Sequence, residues 1–327
     1  MVLREPKPIE QQPLRSEEIS LSALAQGHIR LRVRACGICR TDLHIVEGEL
    51  PPRRPAIVPG HQIVGDVIES GDPLHKIGAR VGVSWLGGVD GTCSYCLSAA
   101  ENLCDSPTFT GYDVPGGYAQ YVDARGDFAL PLPGALDDLQ AAPLLCAGII
   151  GFRALRVAGV RPNERVGLFG FGASAHLALP VLQHWGCEVY VSTRGRSHQD
   201  FARKLGAAWV GDASEQPPQM LHRAITFAPS GDVVLTALSS LRKGGILAIN
   251  AIHLDRMPQF DYDRLLWGER QIRSVTNMTR ADSHDFLALA AALDLSPAVR
   301  EFPLEEANTA LLAIKGDAID GAAVLLP

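Results

Sequence analysis

No run of lysine or arginine stands out in the 327 residues, and thirty basic side chains face thirty-six acidic ones, for a formal net charge of −6. A surface that neutralises nucleic-acid phosphates needs the opposite balance, so nucleic acid is excluded as the expected partner. Long apolar runs are missing as well. The longest, residues 141–152, falls well short of a membrane span and contains Pro143. The opening stretch, MVLREPKPIEQQPLRSEE, has no apolar core of the kind a secretory leader needs. Repeats and low-complexity tracts are absent. Seven cysteines make an odd number for a disulfide framework, and several stand in C-x-x-C spacing. That favours metal ligation in a reducing compartment. The expectation is a soluble, cytoplasmic protein without membrane association.

What is present is ample apolar material: 46% of residues are hydrophobic, in a chain long enough for two domains with cores of their own. Up to residue 147 the texture is short apolar runs between Gly- and Pro-bearing turns. Residues 28–34 (HIRLRVR) alternate strictly, and 63–67, Arg80–Val83 and 118–122 are further strand candidates. From 148 the pattern becomes strand, helix, strand. Apolar runs at Arg165–Phe169, 189–192, 208–210, 224–227 and 246–252 are separated by helical stretches. Such alternation predicts βαβ units and a parallel sheet. The tail beyond 278 is mixed again and is placed with the first domain. The expected division is therefore a β-rich domain at 1–147 plus 278–327, and a doubly wound α/β domain at 148–277.

The segment Gly170-Phe171-Gly172-Ala173-Ser174-Ala175 follows a predicted strand and opens a predicted helix. It reads G-x-G-x-x-A, a form of the dinucleotide fingerprint. The first glycine permits a tight turn, the second lets a pyrophosphate approach the backbone, and the small sixth residue permits close packing. Gly170, Gly172, Ala173 and Ser174 are thus cofactor-binding candidates, with helix-terminal amides facing the phosphates. An NAD site normally places an acid at the end of the second strand. Here the chain reads Ser192-Thr193-Arg194 and offers no acid until Asp200. Hydroxyls followed by a guanidinium suit a 2′-phosphate, so NADP(H) is preferred, with NAD(H) as the alternative. Arginines merely solvated on a loop would explain Arg194 but not the missing acid.

Asp90, Cys93, Cys96 and Cys104 form D-x-x-C-x-x-C-x7-C within one loop-like segment. Three thiolates at this spacing suit a closed structural zinc site, with Asp90 as fourth ligand or as spectator. A redox C-x-x-C is opposed by the third cysteine. Fifty-three residues separate the pair Cys36 and Cys39 from the pair Cys93 and Cys96, too many for a zinc ribbon of ~15–20 residues, and Cys36 reads as a buried strand residue. Cys39, His61 and Cys146 are dispersed, each beside an expected chain reversal. Their spacing alone assigns nothing, since a lone Cys or His is usually structural, but two thiolates and one imidazole with an open fourth position would match a catalytic zinc set.

With these motifs the chain resembles the zinc-dependent medium-chain alcohol dehydrogenases along essentially its whole length. The resemblance is carried by residues 36–44 (CGICRTDLH), 59–65 (PGHQIVG), the loop 93–104, 116–121 (GGYAQY), 145–151 (LCAGIIG) and the GFGASA turn. A bacterial branch is pointed to by 266–270 (LWGER) and 274–280 (SVTNMTR). The resemblance implies a GroES-like domain carrying the zinc sites, a Rossmann domain for the cofactor, and an active site in the cleft between them. It implies catalytic zinc on Cys39, His61 and Cys146, and Asp42 orienting His61. Thr41 would take the alcohol proton and pass it, through a cofactor ribose hydroxyl, to His44. Arg40 matches a position that contacts the pyrophosphate. Zinc lowers the alcohol pKa or polarises an aldehyde, because hydride leaves an alkoxide far more readily than a neutral alcohol.

Departures from the family pattern are Gln62 for a glutamate, Ile150 for a threonine, Ala322 for an arginine and Asp90 for a cysteine. Trp85 matches a pocket-lining position and would narrow it, with Leu86, Phe109 and Tyr112 as candidate apolar walls. The expected substrate is a primary alcohol or aldehyde. Zinc-free quinone or enone reduction on the same fold is opposed by the intact trio, and a non-catalytic cofactor-binding role by Thr41 and His44. Relatives imply a homodimer or homotetramer built by pairing of Rossmann sheet edges, for which residues 248–252 are a candidate.

Overall fold

The computed structural model describes residues 1–319 and 321–327. It contains two compact units, one of Met1–Ala147 with Asn277–Pro327 and one of Gly148–Thr276.

In the first unit the alternating HIRLRVR run is the start of an eleven-residue strand, His28–Ile38. Ile29, Leu31, Val33 and Ala35 are buried on one face. Arg30, Arg32 and Arg34 fall on the other and pair with Asp123, Asp66 and Asp138. This period-2 division is what a strand with one core face dictates. The strand pairs along its length with Gln62–Ser70. On its other edge Tyr121–Arg125 takes the first half and Ala322–Leu326 the second. Arg80–Val83 and Ala129–Pro131 continue the seven-stranded sheet beyond Gln62–Ser70.

Residues 118–120 do not join the strand expected at 118–122, which instead runs Tyr121–Arg125. Tyr118 is fully buried and its N–H donates to the Pro59 carbonyl, so the segment is held as a turn against Gly60. Gly60 has φ +96°, and a Cβ there would stand 2.4 Å from the Tyr118 ring, so only glycine fits directly before His61.

Asp137 caps the helix Asp138–Pro143 by accepting from the Gln140 N–H at 2.7 Å. A π-helical turn, Leu144–Gly148, follows and the helix Ile149–Ala158 continues it. Among the described residues the run Asp138–Ala158 is the only helix long and apolar enough to cross a membrane. Its window is 72% buried inside the protein, which is the signature of a core helix.

The second unit holds a six-stranded, wholly parallel sheet. In order across it stand Trp209–Gly211, Glu188–Ser192, Arg165–Phe169, Leu221–Thr226, Leu241–Ile249 and Gln271–Ser274. Counted along the chain this is 3-2-1-4-5-6, the Rossmann order, with its reversal between Arg165–Phe169 and Leu221–Thr226. Val166, Leu168, Val191, Ile225 and Leu247 are buried, as strands covered on both faces require. One expectation is corrected here. Residues 248 and 249 lie in an interior strand hydrogen-bonded on both sides, so they offer no free edge; Gln271–Ser274 is the edge strand.

Candidate active site

The long strand His28–Ile38 ends one residue before Cys39, which is the N-cap of the helix Arg40–Glu47. The Cys39 sulfur accepts from the Thr41 N–H at 3.3 Å, and the Cys39 N–H donates to Asp42 Oδ2 at 2.9 Å. A helix N-terminus favours negative charge, so this is a place for a thiolate. The other Asp42 oxygen accepts from His61 Nδ1 at 3.0 Å. Placing the imidazole proton on Nδ1 leaves Nε2 as the nitrogen that could accept a metal, and Nε2 stands 3.3 Å from the Cys39 sulfur. His61 and Asp42 are both fully buried. Cys146 completes the group: one ligand atom each from Cys39, His61 and Cys146 lie within 4.8 Å of one another.

Charge in this cluster follows from contact. A hydrogen bond from Cys146, with the nearby His61, outweighs burial and holds the Cys39 thiol well below its ordinary value. The same contact and burial push the Cys146 thiol up. Burial opposes charge on His61, but Asp42 and Cys39 overcome it and raise the imidazole well above its usual range. Burial dominates for Asp42 and lifts its carboxyl. Two sulfurs and an oriented imidazole nitrogen within 4.8 Å of one another are a donor set that zinc fits.

Cys146 does not sit at a chain reversal. It lies inside the helical run, in the π-helical turn Leu144–Gly148. Such wide turns break the regular helical period and recur at functional sites.

The remaining candidates are placed as follows. Thr41 is buried in the first turn of its helix. His44 Nδ1 contacts the Glu49 carboxylate. Arg40 is exposed and pairs with Asp317 at 3.2 Å. Trp85 meets the His61 ring edge-on at 5.1 Å and stacks on Phe109 at 4.8 Å and on Tyr112 at 6.0 Å. Leu86 turns into a separate small core with Val89, Cys104 and Phe128. Gln62 is buried beside His61, and neither of its amide atoms has a hydrogen-bond partner.

The second cluster is local. Asp90, Cys93, Cys96 and Cys104 bring four ligand atoms within 4.8 Å of one another. Asp90 Oδ1 accepts from the N–H groups of Cys93 (2.9 Å) and Thr92 (2.7 Å), and these hold its carboxyl far below the usual range. Its Oδ2 accepts from the Cys104 thiol at 3.2 Å. Three sulfurs and a carboxylate at this spacing also fit zinc.

In the second unit, Gly170 has φ +92° and a Cβ on it would stand 3.0 Å from the Ala228 nitrogen, so the tight turn demands glycine. Gly172 caps the helix Ala173–His184, and a Cβ there would meet nothing within 4 Å, leaving the amide end open to approach. Gly151 admits the Ser174 carbonyl, which a Cβ would meet at 2.7 Å. The hydroxyl residues at the end of the second strand are buried: Ser192, its last residue, donates to the Glu215 carbonyl, and Thr193 follows it. Arg194 is exposed.

Residues that the sequence did not flag are Asp138, Arg34 and Arg80, which form one ion-paired group. Their only advance signals are the acidic pair Asp137-Asp138 before an apolar run and the period-2 arginines of HIRLRVR.

Comparison with known proteins gives a consistent answer. The family model described as the alcohol dehydrogenase GroES-like domain matches residues 25–134. The probable alcohol dehydrogenase AdhA of Mycobacterium tuberculosis (strain CDC 1551 / Oshkosh) is 44% identical over 331 residues, covering 99% of this chain and 96% of the relative. An alcohol dehydrogenase of Geobacillus stearothermophilus is 33% identical over 325 residues, with 96% of each chain covered. The cobalt- and zinc-bound thermostable alcohol dehydrogenase of Pyrobaculum aerophilum superposes with a TM-score of 0.88 at 21% identity, over 100% of this chain and 98% of that one.

Proposed function

The chain belongs to the medium-chain alcohol dehydrogenase family, and from that premise we propose that it interconverts primary alcohols and aldehydes with NADP(H), using zinc held by Cys39, His61 and Cys146. The observation that carries this reading is the meeting of those three donors, with His61 oriented by a buried Asp42. The zinc- and cobalt-bound state of the Pyrobaculum protein supports the choice of metal. A second zinc on Asp90, Cys93, Cys96 and Cys104 is structural. When bound, the first zinc supplies a Lewis acid for the alcohol or carbonyl oxygen.

The chain's own residues do the rest. Asp42 holds the imidazole proton on Nδ1, so that Nε2 is the nitrogen turned to the metal. The Thr41 hydroxyl receives the substrate proton, and His44, near the surface and beside Glu49, releases it to water. Trp85 backs onto the His61 ring and narrows the space for substrate. Gly172 and the amides of Ala173 and Ser174 receive the cofactor pyrophosphate.

Cofactor preference rests on Arg194. The Ser192 hydroxyl is committed to the Glu215 carbonyl, so a 2′-phosphate finds its charge partner in the exposed guanidinium. Kinetics with NADPH and NADH across a panel of aldehydes, with zinc content measured, test the proposal. The parent enzyme is expected to prefer NADPH, and Arg194→Ala to lose about tenfold in kcat/KM for NADPH alone, the value of one charged hydrogen bond. Equal or better rates with NADH in the parent overturn the cofactor reading. Trp85→Ala is expected to shift kcat/KM by about tenfold toward bulkier aldehydes, as opening an apolar pocket does. An unchanged substrate profile would remove Trp85 from the pocket.

A further inference from the structure

Asp138 opens the helix that runs on to Cys146, eight residues and ~12 Å further along. Its two carboxylate oxygens are taken by two arginines: Oδ2 by Arg34 Nε at 2.5 Å and Oδ1 by Arg80 Nε at 2.6 Å. Arg34 lies on His28–Ile38, the strand that delivers Cys39. Arg80 opens Arg80–Val83 and stands in register with Asp66 on Gln62–Ser70, the strand that follows His61. Asp66 in turn accepts from Arg34 at 3.2 Å. Arg80 also donates to the Leu136 carbonyl at 2.6 Å, fixing the entry to the helix. The elements leading to all three donors therefore meet in one group of alternating charges.

A second contact sets the depth of the same helix. A Cβ on Gly82 would stand 2.5 Å from Leu145 Cδ2, so the strand is hollowed where the residue before Cys146 packs. The Asp138 and Arg80 side chains are 22% and 24% exposed, so their ion pair is less screened than a surface one, while Arg34 at 47% is the more exposed arm.

We infer that Asp138 is a positioning residue for the metal centre: held by Arg34 and Arg80, it sets where the helix presents the Cys146 sulfur to Cys39 and His61. This rests on the proposed ligand role of Cys146 and adds to it a residue that never touches the metal. Neutralising the carboxylate frees the helix start, so the third donor is no longer held in place and the metal is lost more easily.

The test is zinc binding by the full-length protein, read by chelator competition and metal analysis rather than by activity. Asp138→Asn is expected to weaken one of the two zinc equivalents about tenfold, the scale at which residues supporting a ligand act. The other equivalent, on the local cluster, stays. Asp138→Glu restores part of the affinity, and Arg34→Gln, which removes a single arm, produces a smaller loss. Val122→Ala, a core truncation in the same unit, controls for general destabilisation: it lowers the Tm and keeps both equivalents. Parent-like affinity in Asp138→Asn, or loss of both equivalents together with the Tm, overturns the inference. Retention of both equivalents by Cys146→Ala would instead overturn the ligand reading beneath it.

Discussion

Replacing Cys146 by alanine is expected to abolish turnover while leaving the protein folded. The thiol is one of three donors that converge, and its loss leaves a sulfur and a nitrogen, too few to hold zinc in a three-ligand site. The packing change is small, because a sulfur atom alone is removed and the flanking Leu145 and Ala147 keep their burial. The effect on catalysis is not small. Lewis-acid stabilisation of several kcal/mol corresponds to a fall in kcat/KM on the order of a thousandfold or more. Steady-state kinetics beside a thermal melt separate the two effects. Full activity in a zinc-depleted Cys146→Ala protein would refute the assignment of the trio.

Asp42→Asn is expected to be nearly as damaging, through protons. The carboxylate accepts twice, from the Cys39 N–H through one oxygen and from His61 Nδ1 through the other. An asparagine of the same shape has one oxygen and one NH2 group, so one of the two donors must face another donor. If that is His61, the imidazole shifts its proton to Nε2 and stops being a ligand. Removing one partner of a fully buried charged pair costs roughly 3–5 kcal/mol, and losing the support of a ligating histidine costs about ten- to a hundredfold in metal affinity. Chemical denaturation and zinc titration of the variant measure both. A variant with parent-like stability and zinc affinity would show that the Asp42 charge is dispensable.

How much of this could be read in advance differs by element. The strand alternation at 28–34 and the Gly170 turn are local patterns, set by the side-chain period and by one backbone conformation, and both are plain in the sequence. The place of Cys146 was not. A π-helical turn leaves no periodic trace in a run as uniformly apolar as residues 141–152. The segment 248–252 looked like an edge because apolarity does not say which strand comes last; only the pairing with Gln271–Ser274 does. Tyr118 alternates like a strand residue yet serves as the floor under Gly60. Ser192 and Thr193 looked like phosphate ligands by type, while their burial depended on the neighbouring strand Trp209–Gly211 and the chain after it. The group around Asp138 was invisible because it joins side chains brought together only by sheet register.

The two donor clusters differ in how far apart their members lie along the chain, and this sets an order of assembly. Asp90, Cys93, Cys96 and Cys104 close a short loop, for which the entropic penalty of bringing the ends together is modest. Its four donors thus need no distant part of the chain to come together. Cys39, His61 and Cys146 are spread over 107 positions and can meet only once the 42 residues beyond Cys104 have emerged and the sheet has formed. On the zinc reading proposed above, the loop would therefore be filled first and the trio last, so zinc shortage would be expected to leave folded but inactive copies.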